Sequence, residues 1–357
     1  MCGCSVAYLL KEQGWKVVIY EGSGVLGGGC RTLYYGGHPY TIGPRPLYTP
    51  HQKVYDFLSE FVPLRTFPLY LKTFVEQDSA FYSYPVHEDD VDLMPDADVI
   101  RKQLAADKSI NESMDFEEYY IASLGQNLYD KFVKYYSQKM WGVKSNKELT
   151  DFKWSVKGVA LQKGPRSVCD DLIIGHPQNK EGYNPYFEAA TADVDKIHFN
   201  KKIEKFDLKN KAVFVDGKWD KADVLVSTTS VDRLFDYEHG KLRYIGREFI
   251  PFVLPVETTI PTEDMFLYYA GQESFTRIVE YKKLYGYSSP STLLGMEVPS
   301  FKNEMYPYPI KSEREKAAKY IDALPENVFS LGRMGRYVYD NIGQVIMQSF
   351  ELAEKLK

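Results

Sequence analysis

The first thirty residues constrain the fold more than any other part of the chain. The run CGCSVAYLLKEQGW has apolar residues at helical spacing, and VVIY at residues 17–20 follows it as a strand that is apolar on both faces. Such strands are typical of buried parallel sheets. The strand ends at Glu21, and a glycine-rich turn begins at Gly27. This order predicts a dinucleotide-binding α/β fold in which the acidic side chain accepts hydrogen bonds from a ribose.

One part of the dinucleotide pattern is missing. A helix of this kind normally follows a short apolar strand and the first glycines of G-x-G-x-x-G, and only Gly3 remains of that set. We therefore expect that a first strand and its first glycine, roughly ten residues in such folds, are absent from this chain. We also expect that this chain binds a dinucleotide more weakly than a version extended upstream.

Composition excludes several classes of function. A net charge of −5 disfavours a general nucleic-acid binder. The four cysteines form no C-x-x-C pair, which indicates a reducing, cytoplasmic compartment. No apolar run is long enough to span a bilayer, and no signal peptide is visible. The six histidines are scattered, so we expect no metal site.

Beyond residue 50 the pattern alternates between helices and strands. We predict a helix after Pro50, strands over 66–90, two aromatic-rich helices over 115–150, a hairpin over 196–230, β-strands over 235–310, and a closing strand, Gly-Arg loop and helix. The stretch GGHPYTIGPRPLYTP is expected to be irregular and to line a site. The predicted architecture is a discontinuous dinucleotide-binding domain (1–65, 192–235 and 322–357) with a helical insert (100–165) and an antiparallel-sheet substrate domain (66–99, 166–191 and 236–321).

Several separated motifs together resemble one family. They are VVIYEGSGVLGGGCRT, GPRPLYT, LYDKFVKYYSQKMWGVKSNKEL, FTRIVEYKKL, YPYPI and GRMGRYVYDNIGQVI. In this order they are similar to motifs of the flavin-dependent UDP-galactopyranose mutases, and the resemblance extends over most of the chain. It implies a Rossmann-like FAD domain and an isomerase that interconverts pyranose and furanose forms of a nucleoside-diphosphate sugar, as in surface polysaccharide biosynthesis.

The resemblance also implies a mechanism and its partners. Reduced FAD attacks the anomeric carbon through N5 and expels the diphosphate, which returns after the sugar has changed ring size. The implied partners are the nucleotide-sugar and a flavin reductant such as NAD(P)H or a reductase, and a homodimer is compatible with the resemblance. Neither a nucleic acid nor a membrane segment is implied.

Specific residues match the family's site. The resemblance implies catalytic roles for Arg277, Arg333 and Tyr339. It implies substrate contacts for Phe132, Tyr136, Trp141, Lys163, Arg166, Tyr308 and Asn341. It implies cofactor contacts for Gly3, Glu21, Gly28, Gly29, Arg31, Gly43, Arg45, Tyr48, Gly332, Asn341, Ile342 and Gln344. The alternative is structural: arginines can form surface or structural ion pairs, and aromatic residues at helical spacing are more often core.

The chain departs from the family at positions near the sugar and the diphosphate. Arg45 and Tyr48 stand where the family has histidines, and Asn341 stands where it has Asp. The family's mobile arginine has no clean counterpart, and Lys163 and Arg166 are the nearest cations in sequence. We interpret this as a mutase relative acting on a different nucleotide-sugar. Two alternatives stay open: an FAD-dependent amine oxidase or desaturase, and a flavin-free nucleotide-sugar-binding relative.

Overall fold

The computed structural model describes residues 1–106, 110, 114–151, 161–261 and 263–357. Its strands, numbered in chain order, are β1 (Val18–Tyr20), β2 (Leu33–Tyr35), β3 (His38–Tyr40), β4 (Leu47–Thr49), β5 (Leu64–Thr66), β6 (Lys72–Val75), β7 (Ala80–Ser83), β8 (Ile173–Pro177), β9 (Lys196–His198), β10 (Lys205–Asp207), β11 (Ala212–Val215), β12 (Lys218–Lys221), β13 (Leu225–Ser227), β14 (Tyr244–Leu254), β15 (Phe266–Tyr269), β16 (Arg277–Glu280), β17 (Thr292–Ser300), β18 (Tyr306–Pro307) and β19 (Val328–Ser330). Its α-helices are α1 (Cys2–Glu12), α2 (Gln52–Ser59), α3 (Ala97–Ala105), α4 (Phe116–Leu124), α5 (Gln126–Leu128), α6 (Lys134–Trp141), α7 (Asn184–Ala189), α8 (Tyr281–Tyr285), α9 (Lys311–Asp322), α10 (Gly332–Gly335) and α11 (Ile342–Lys355).

The start and the end of the chain, together with β9 and β13 from its middle, form a Rossmann-like α/β unit, which confirms the predicted fold class. β1 pairs with β9 and β13 pairs with β19, both in parallel. Helix α1 packs on α11 through Val6, Leu10 and Leu352. Among the described strands, however, these are two separate ladders, and neither β1 nor β19 has a partner on its other edge.

This separation corrects the expectation that β1 is buried on both faces. Val18 is 40% exposed, and Ile19 and Tyr20 are only partly buried. A strand with one hydrogen-bonded neighbour is covered less completely than one inside a sheet. β1 is therefore an apolar strand that the described residues bury only in part.

The middle of the chain forms a seven-stranded sheet in the order β18-β14-β17-β16-β15-β6-β7. All of its pairs are antiparallel except β15 with β6. Helices α3 to α6 and the aromatic residues around them pack into one core beside this sheet. The two predicted aromatic-rich helices over 115–150 are present as α4 and α6, with a π-helical turn between them (Tyr129–Val133).

An ion triad with two buried members and one partly exposed member, Asp96, joins these helices to the sheet. Lys131 lies in the π-helical turn, and its Nζ donates to Asp78 Oδ1 and to Asp96 Oδ1, at 2.6 Å in both cases. The lysine and Asp78 side chains are each 5% exposed. Because breaking a buried pair leaves an uncompensated charge, this contact fixes the position of the helical insert against the 3-10 turn after β6.

Two segments differ from the predicted organisation. The stretch expected to be irregular contains β3 and β4, because its apolar residues pair with neighbouring strands. Segment 166–191 was expected in the sheet of the substrate domain, but its strand β8 pairs with β4 and β5 instead. The boundaries of the three domains otherwise remain a prediction, and part of the predicted helical insert lies outside the described residues. In the described ranges, no helix combines the length and apolar character needed to cross a membrane.

Candidate active site

One row of directly opposed residues crosses a face of the seven-stranded sheet. Its successive members are Phe249, Glu297, Arg277, Tyr268, Thr73 and Tyr82. Directly opposed residues on neighbouring strands project from the same face. The pairing register therefore places a carboxylate, a guanidinium group and a phenol next to one another on this face.

Glu297 and Arg277 form a buried ion pair at the centre of the row. Arg277 Nε lies 2.7 Å from Glu297 Oε1, and the glutamate is fully buried. Among the described residues, neither Arg277 Nε nor either carboxylate oxygen of Glu297 has a partner that meets hydrogen-bond geometry. The contact is therefore electrostatic, and the carboxylate can still accept hydrogen bonds.

Four arginines surround the phenol of Tyr306, which lies in β18 and is 2% exposed. We define the arginine cluster as Arg45, Arg247, Arg277 and Arg333. The guanidinium carbons of Arg247 and Arg333 lie 4.9 Å and 4.8 Å from the centre of the Tyr306 ring. Burial raises the pKa of Tyr306, but the four guanidinium groups outweigh burial and lower that pKa to about 7.

The charges of the cluster are unbalanced. Glu297 is the carboxylate paired with it, and guanidinium groups do not lose their protons in proteins. Arg247 is 3% exposed, and the Arg277 side chain is 16% exposed. Counted over the described residues, this largely buried site has four cations and one paired carboxylate. It is therefore electrostatically complementary to an anion.

Other tyrosines line the same site. The ring of Tyr339 stacks on Tyr306 at 4.9 Å between centres, and Tyr84 and Tyr136 pack on Tyr268 at 4.5 Å and 5.6 Å. Burial raises the pKa of the phenols around the cluster; these are Tyr48, Tyr84, Tyr136, Tyr268 and Tyr339. They are therefore neutral hydroxyl groups at physiological pH and can donate hydrogen bonds.

The loop before β4 closes over the cluster at Gly43. Its φ is +80°, and a Cβ there would lie 3.2 Å from Arg277 Nη2 and 3.4 Å from Glu297 Oε1. Only glycine adopts this backbone conformation without strain and leaves this space. From the same loop, Arg45 Nε donates to the Gly29 carbonyl at 3.0 Å. The arginine cluster therefore adjoins the glycine turn of the Rossmann-like unit.

The glycine turn itself is open. Gly28 has φ +51°, and apart from its chain neighbours no described residue lies within 4 Å of the position of a Cβ. Arg31 Nη1 supports the turn by donating to the Leu26 carbonyl at 3.1 Å. At the end of β1, Glu21 Oε1 accepts from the backbone N–H and the hydroxyl of Ser23, both at 2.8 Å. Gly3 lies in α1, where a Cβ would approach Thr228 to 3.8 Å.

The start of α11 corrects part of the predicted cofactor contact. Asn341 and Gln344 form a capping box: Asn341 Oδ1 accepts from Gln344 N at 2.9 Å, and Gln344 Oε1 accepts from Asn341 N at 2.8 Å. These two backbone N–H groups are therefore used within the helix and are not available to a ligand. Those of Ile342 and Gly343 have no hydrogen-bond acceptor among the described residues. The Gly332 N–H donates to Gln348 Oε1 at 2.8 Å.

Three predicted substrate contacts lie away from the cluster. Tyr308 packs against Arg243 (4.1 Å) and not against the cluster, because β18 ends at Pro307 and its alternation does not continue. Lys163 is 74% exposed and pairs with Glu88 at 3.3 Å. Arg166 Nη1 donates to Asp90 Oδ1 at 2.6 Å. The acidic residues near β7 pair with both cations.

The three aromatic residues predicted to contact the substrate from the helical insert pack in different places. Tyr136 packs on Tyr268 and faces the cluster. Phe132 packs against Tyr82 at 6.0 Å, and Trp141 is 5% exposed and packs edge-on against Tyr308. Phe132 and Trp141 are therefore core residues of the helical insert in this structure.

The sequence-based prediction did not include Tyr306, Arg247, Glu297, Tyr268 or Tyr84. A signal existed for one of them: Glu297 interrupts the apolar run LLGMEVP in β17, and a carboxylate inside a buried strand requires a partner. In the part of the chain that the structure describes, no group of His, Cys, Asp and Glu is arranged to hold a metal ion.

Comparison with known proteins gives two matches to family models. Residues 131–339, more than half of the chain, match the model of UDP-galactopyranose mutase. Residues 1–61 match the model of an NAD(P)-binding Rossmann-like domain. The first match contains Arg247, Arg277, Glu297, Tyr306 and Arg333, and the second contains the glycine turn and Arg45.

Individual proteins resemble the chain over nearly its whole length. It is 24% identical to the dTDP-fucopyranose mutase of Escherichia coli, covering 99% of this chain and 95% of that protein. It is 26% identical to the UDP-galactopyranose mutase of Mycoplasma pneumoniae, covering 99% and 93%. The crystal structure of reduced UDP-galactopyranose mutase superposes with a TM-score of 0.81 at 18% identity, over 99% of this chain and 93% of that one.

Proposed function

Because this chain belongs to the UDP-galactopyranose mutase family, we propose that it is an isomerase that interconverts the pyranose and furanose forms of a nucleoside-diphosphate sugar. The observation that supports this most strongly is the arginine cluster. A diphosphate esterified at both ends carries two negative charges, and the cluster has four cations against one carboxylate. Arginine binds phosphate oxygens with two parallel hydrogen bonds, which gives strength and direction.

The residues of the Rossmann-like unit fit FAD. The open glycine turn at Gly28, the Glu21 carboxylate at the end of β1, and the N–H groups of Ile342 and Gly343 are suited to a dinucleotide and a flavin ring. We propose these residues, with Gly29, Gly43 and Arg45, as its contacts. When bound and reduced, the flavin would supply the nucleophile for the anomeric carbon. The protein would hold the diphosphate in line and exclude water behind the tyrosines.

The choice of substrate follows from the relatives. Two of the relatives above are named as mutases of UDP-galactopyranose and of dTDP-fucopyranose. We propose UDP-galactose and dTDP-fucose as the first substrates to test. The departures at Arg45, Tyr48 and Asn341 motivate a wider panel of nucleotide-sugars. We further propose a cytoplasmic location and reduction by NAD(P)H or a reductase, with the homodimer as an assembly to test.

The direct test is turnover of the FAD-loaded protein with and without dithionite reduction. We expect furanose product, separated by chromatography and identified by NMR, only under reducing conditions. Arg277→Gln should lower kcat/KM by about a hundredfold, because it removes a charged donor from the site. Arg101→Gln, on the surface and paired with Asp92, is the control and should leave turnover unchanged.

The alternatives predict different outcomes. Hydrogen peroxide formed from an amine substrate without furanose product would favour an oxidase. A purified protein without flavin absorbance that still binds nucleotide-sugars would favour a flavin-free binding protein. Absence of furanose product from every nucleotide-sugar, in a protein loaded with reduced FAD, would contradict the proposal.

A further inference from the structure

Tyr306 is surrounded by charged or titratable groups from every element packed against it. These are Arg45 from the loop before β4, Arg247 from β14, Tyr268 from β15, Arg277 from β16, Arg333 from α10 and Tyr339 after α10. Glu297 from β17 pairs with one of them, Arg277. Of these groups, the Arg45 guanidinium lowers the pKa of Tyr306 most strongly. Its environment is therefore dominated by cations on several sides.

In the ligand-free site the positive charge of the arginine cluster exceeds the negative charge of Glu297, and the arginines cannot reduce this excess. With Tyr306 neutral, one carboxylate of the described residues is paired with a cluster of four guanidinium groups, and an uncompensated charge in a buried site is strongly unfavourable. Guanidinium groups keep their protons. Burial raises the pKa of Tyr268 and of Tyr339, so these neighbours stay neutral. Tyr306 is the remaining group of this set that can become an anion near neutral pH.

We propose that Tyr306 is a proton-exchanging counter-anion of the arginine cluster: it is ionised in the ligand-free protein and takes up a proton from solvent when a nucleoside-diphosphate sugar binds. The inference rests on the proposed function, because it assumes that the ligand of the cluster is a diphosphate. The step forms one O–H bond and involves no redox change. The neutral hydroxyl is then a donor to the bound anion.

The physical reason is competition for the same cations. A diphosphate brings two negative charges beside the phenolate, and like charges at a distance of a few ångströms repel strongly in a buried site. The arginines pair with phosphate oxygens, and the stabilisation of the phenolate is lost. Its proton affinity therefore rises on binding.

Linkage fixes the sign of the pH dependence. Above pH 7 the free protein has an ionised Tyr306, so binding requires a proton and becomes weaker as protons become scarce. The dissociation constant should rise about tenfold per pH unit until the pH reaches the pKa of the complex. In Tyr306→Phe the dependence should disappear. Both phosphates of UDP-galactose are esterified, so the ligand's phosphate charge stays constant over this range.

The experiment has two arms, both on oxidised protein so that no turnover occurs. The first measures the near-ultraviolet tyrosinate band of ligand-free protein from pH 6 to about 9, as the difference between wild type and Tyr306→Phe. The second measures UDP-galactose binding by calorimetry in buffers of different ionisation enthalpy. Tyr320→Phe is the control, since Tyr320 is fully buried in α9 outside the cluster and burial raises its pKa.

We expect one tyrosinate in wild type and in Tyr320→Phe that is missing in Tyr306→Phe and disappears when UDP-galactose is added. Above pH 7, binding should take up about one proton in wild type and none in Tyr306→Phe. Lack of the tyrosinate band, or tight binding without proton uptake, would overturn the inference alone. A tyrosinate band without binding of UDP-galactose or any dTDP-hexose would overturn the coupled binding together with the proposed function.

Discussion

Glu297 is the residue on which the charge balance of the site depends. It is fully buried and lies 2.7 Å from Arg277. Glu297→Gln removes one partner of a buried pair, and we expect it to lower the free energy of unfolding by about 3 kcal/mol or more. Urea denaturation measures this. Glu304 is exposed and lies in the loop after β17, so Glu304→Gln should leave the free energy of unfolding nearly unchanged. Equal stabilities of the two variants would show that Glu297 does not compensate the cluster.

His176 provides an acid-sensitive position outside the site. It lies in β8, its Nδ1 is 3.0 Å from the Pro177 carbonyl, and the edge of Tyr285 packs against its ring at 4.6 Å. Burial lowers its pKa from 6.5 to about 3. The unfolded chain therefore binds a proton that the native protein excludes, and stability falls as pH decreases from 6.5 toward 3.

We expect wild type to lose about 1.4 kcal/mol of stability per pH unit in that window relative to His176→Asn. Denaturation at several pH values gives the difference. His51 is exposed, and His51→Asn is the control, which should lose the same stability per pH unit as wild type. Parallel pH profiles for wild type and His176→Asn would contradict the assignment of this sensitivity to His176.

At the level of single residues, the sequence predicts those site residues that lie within the family-like motifs. Arg277, Arg333, Tyr339, Tyr136, Tyr48 and Arg45 all meet around one site in the structure. Arg247 and Tyr306 were not predicted, because their proximity depends on which residues face each other across β14, β17 and β18. Strand register is set by long-range pairing, and a local pattern does not contain it.

The glycine turn is a structural requirement of the Rossmann-like unit. Gly27 has φ +110°, and a Cβ there would lie 2.5 Å from the ring of Phe187, which is fully buried. Gly14 has φ +84° with open space around it, so it is a matched control for backbone strain alone. Gly14→Ala should cost about 1–2 kcal/mol, and Gly27→Ala should cost about 1–3 kcal/mol more. Equal losses in urea denaturation would mean that Phe187 moves freely.

Most elements were predictable because their patterns are local. The helix near the start, the helix after Pro50, the hairpin and the closing helix all appear with bounds close to those expected. The π-helical turn and the pairing of β8 were not predicted. The first is held by Lys131 and its two aspartates, and the second by partners more than a hundred residues earlier in the chain. Both depend on contacts distant in sequence.

The molecule as a whole combines a broad sheet with two narrow parallel ladders. Strands β16 and β17 have bonded neighbours on both sides, whereas β1 and β19 each have one among the described strands. Strands bonded on one side open at lower free energy. We expect amides of β1 and β19 to exchange with deuterium faster than those of β16 and β17, measured by mass spectrometry. Equal protection of β1 and β17 would contradict this.

The direct opposition of Glu297 and Arg277 has a consequence for how the gene can change. Side chains alternate between the two faces of a strand, so deleting one residue within β17 would turn Glu297 to the opposite face, whereas deleting two would restore the facing. The tolerated insertions and deletions in this sheet therefore depend on whether their length is odd or even. A change in this sheet is therefore constrained by the number of residues inserted or deleted as well as by the type of residue substituted.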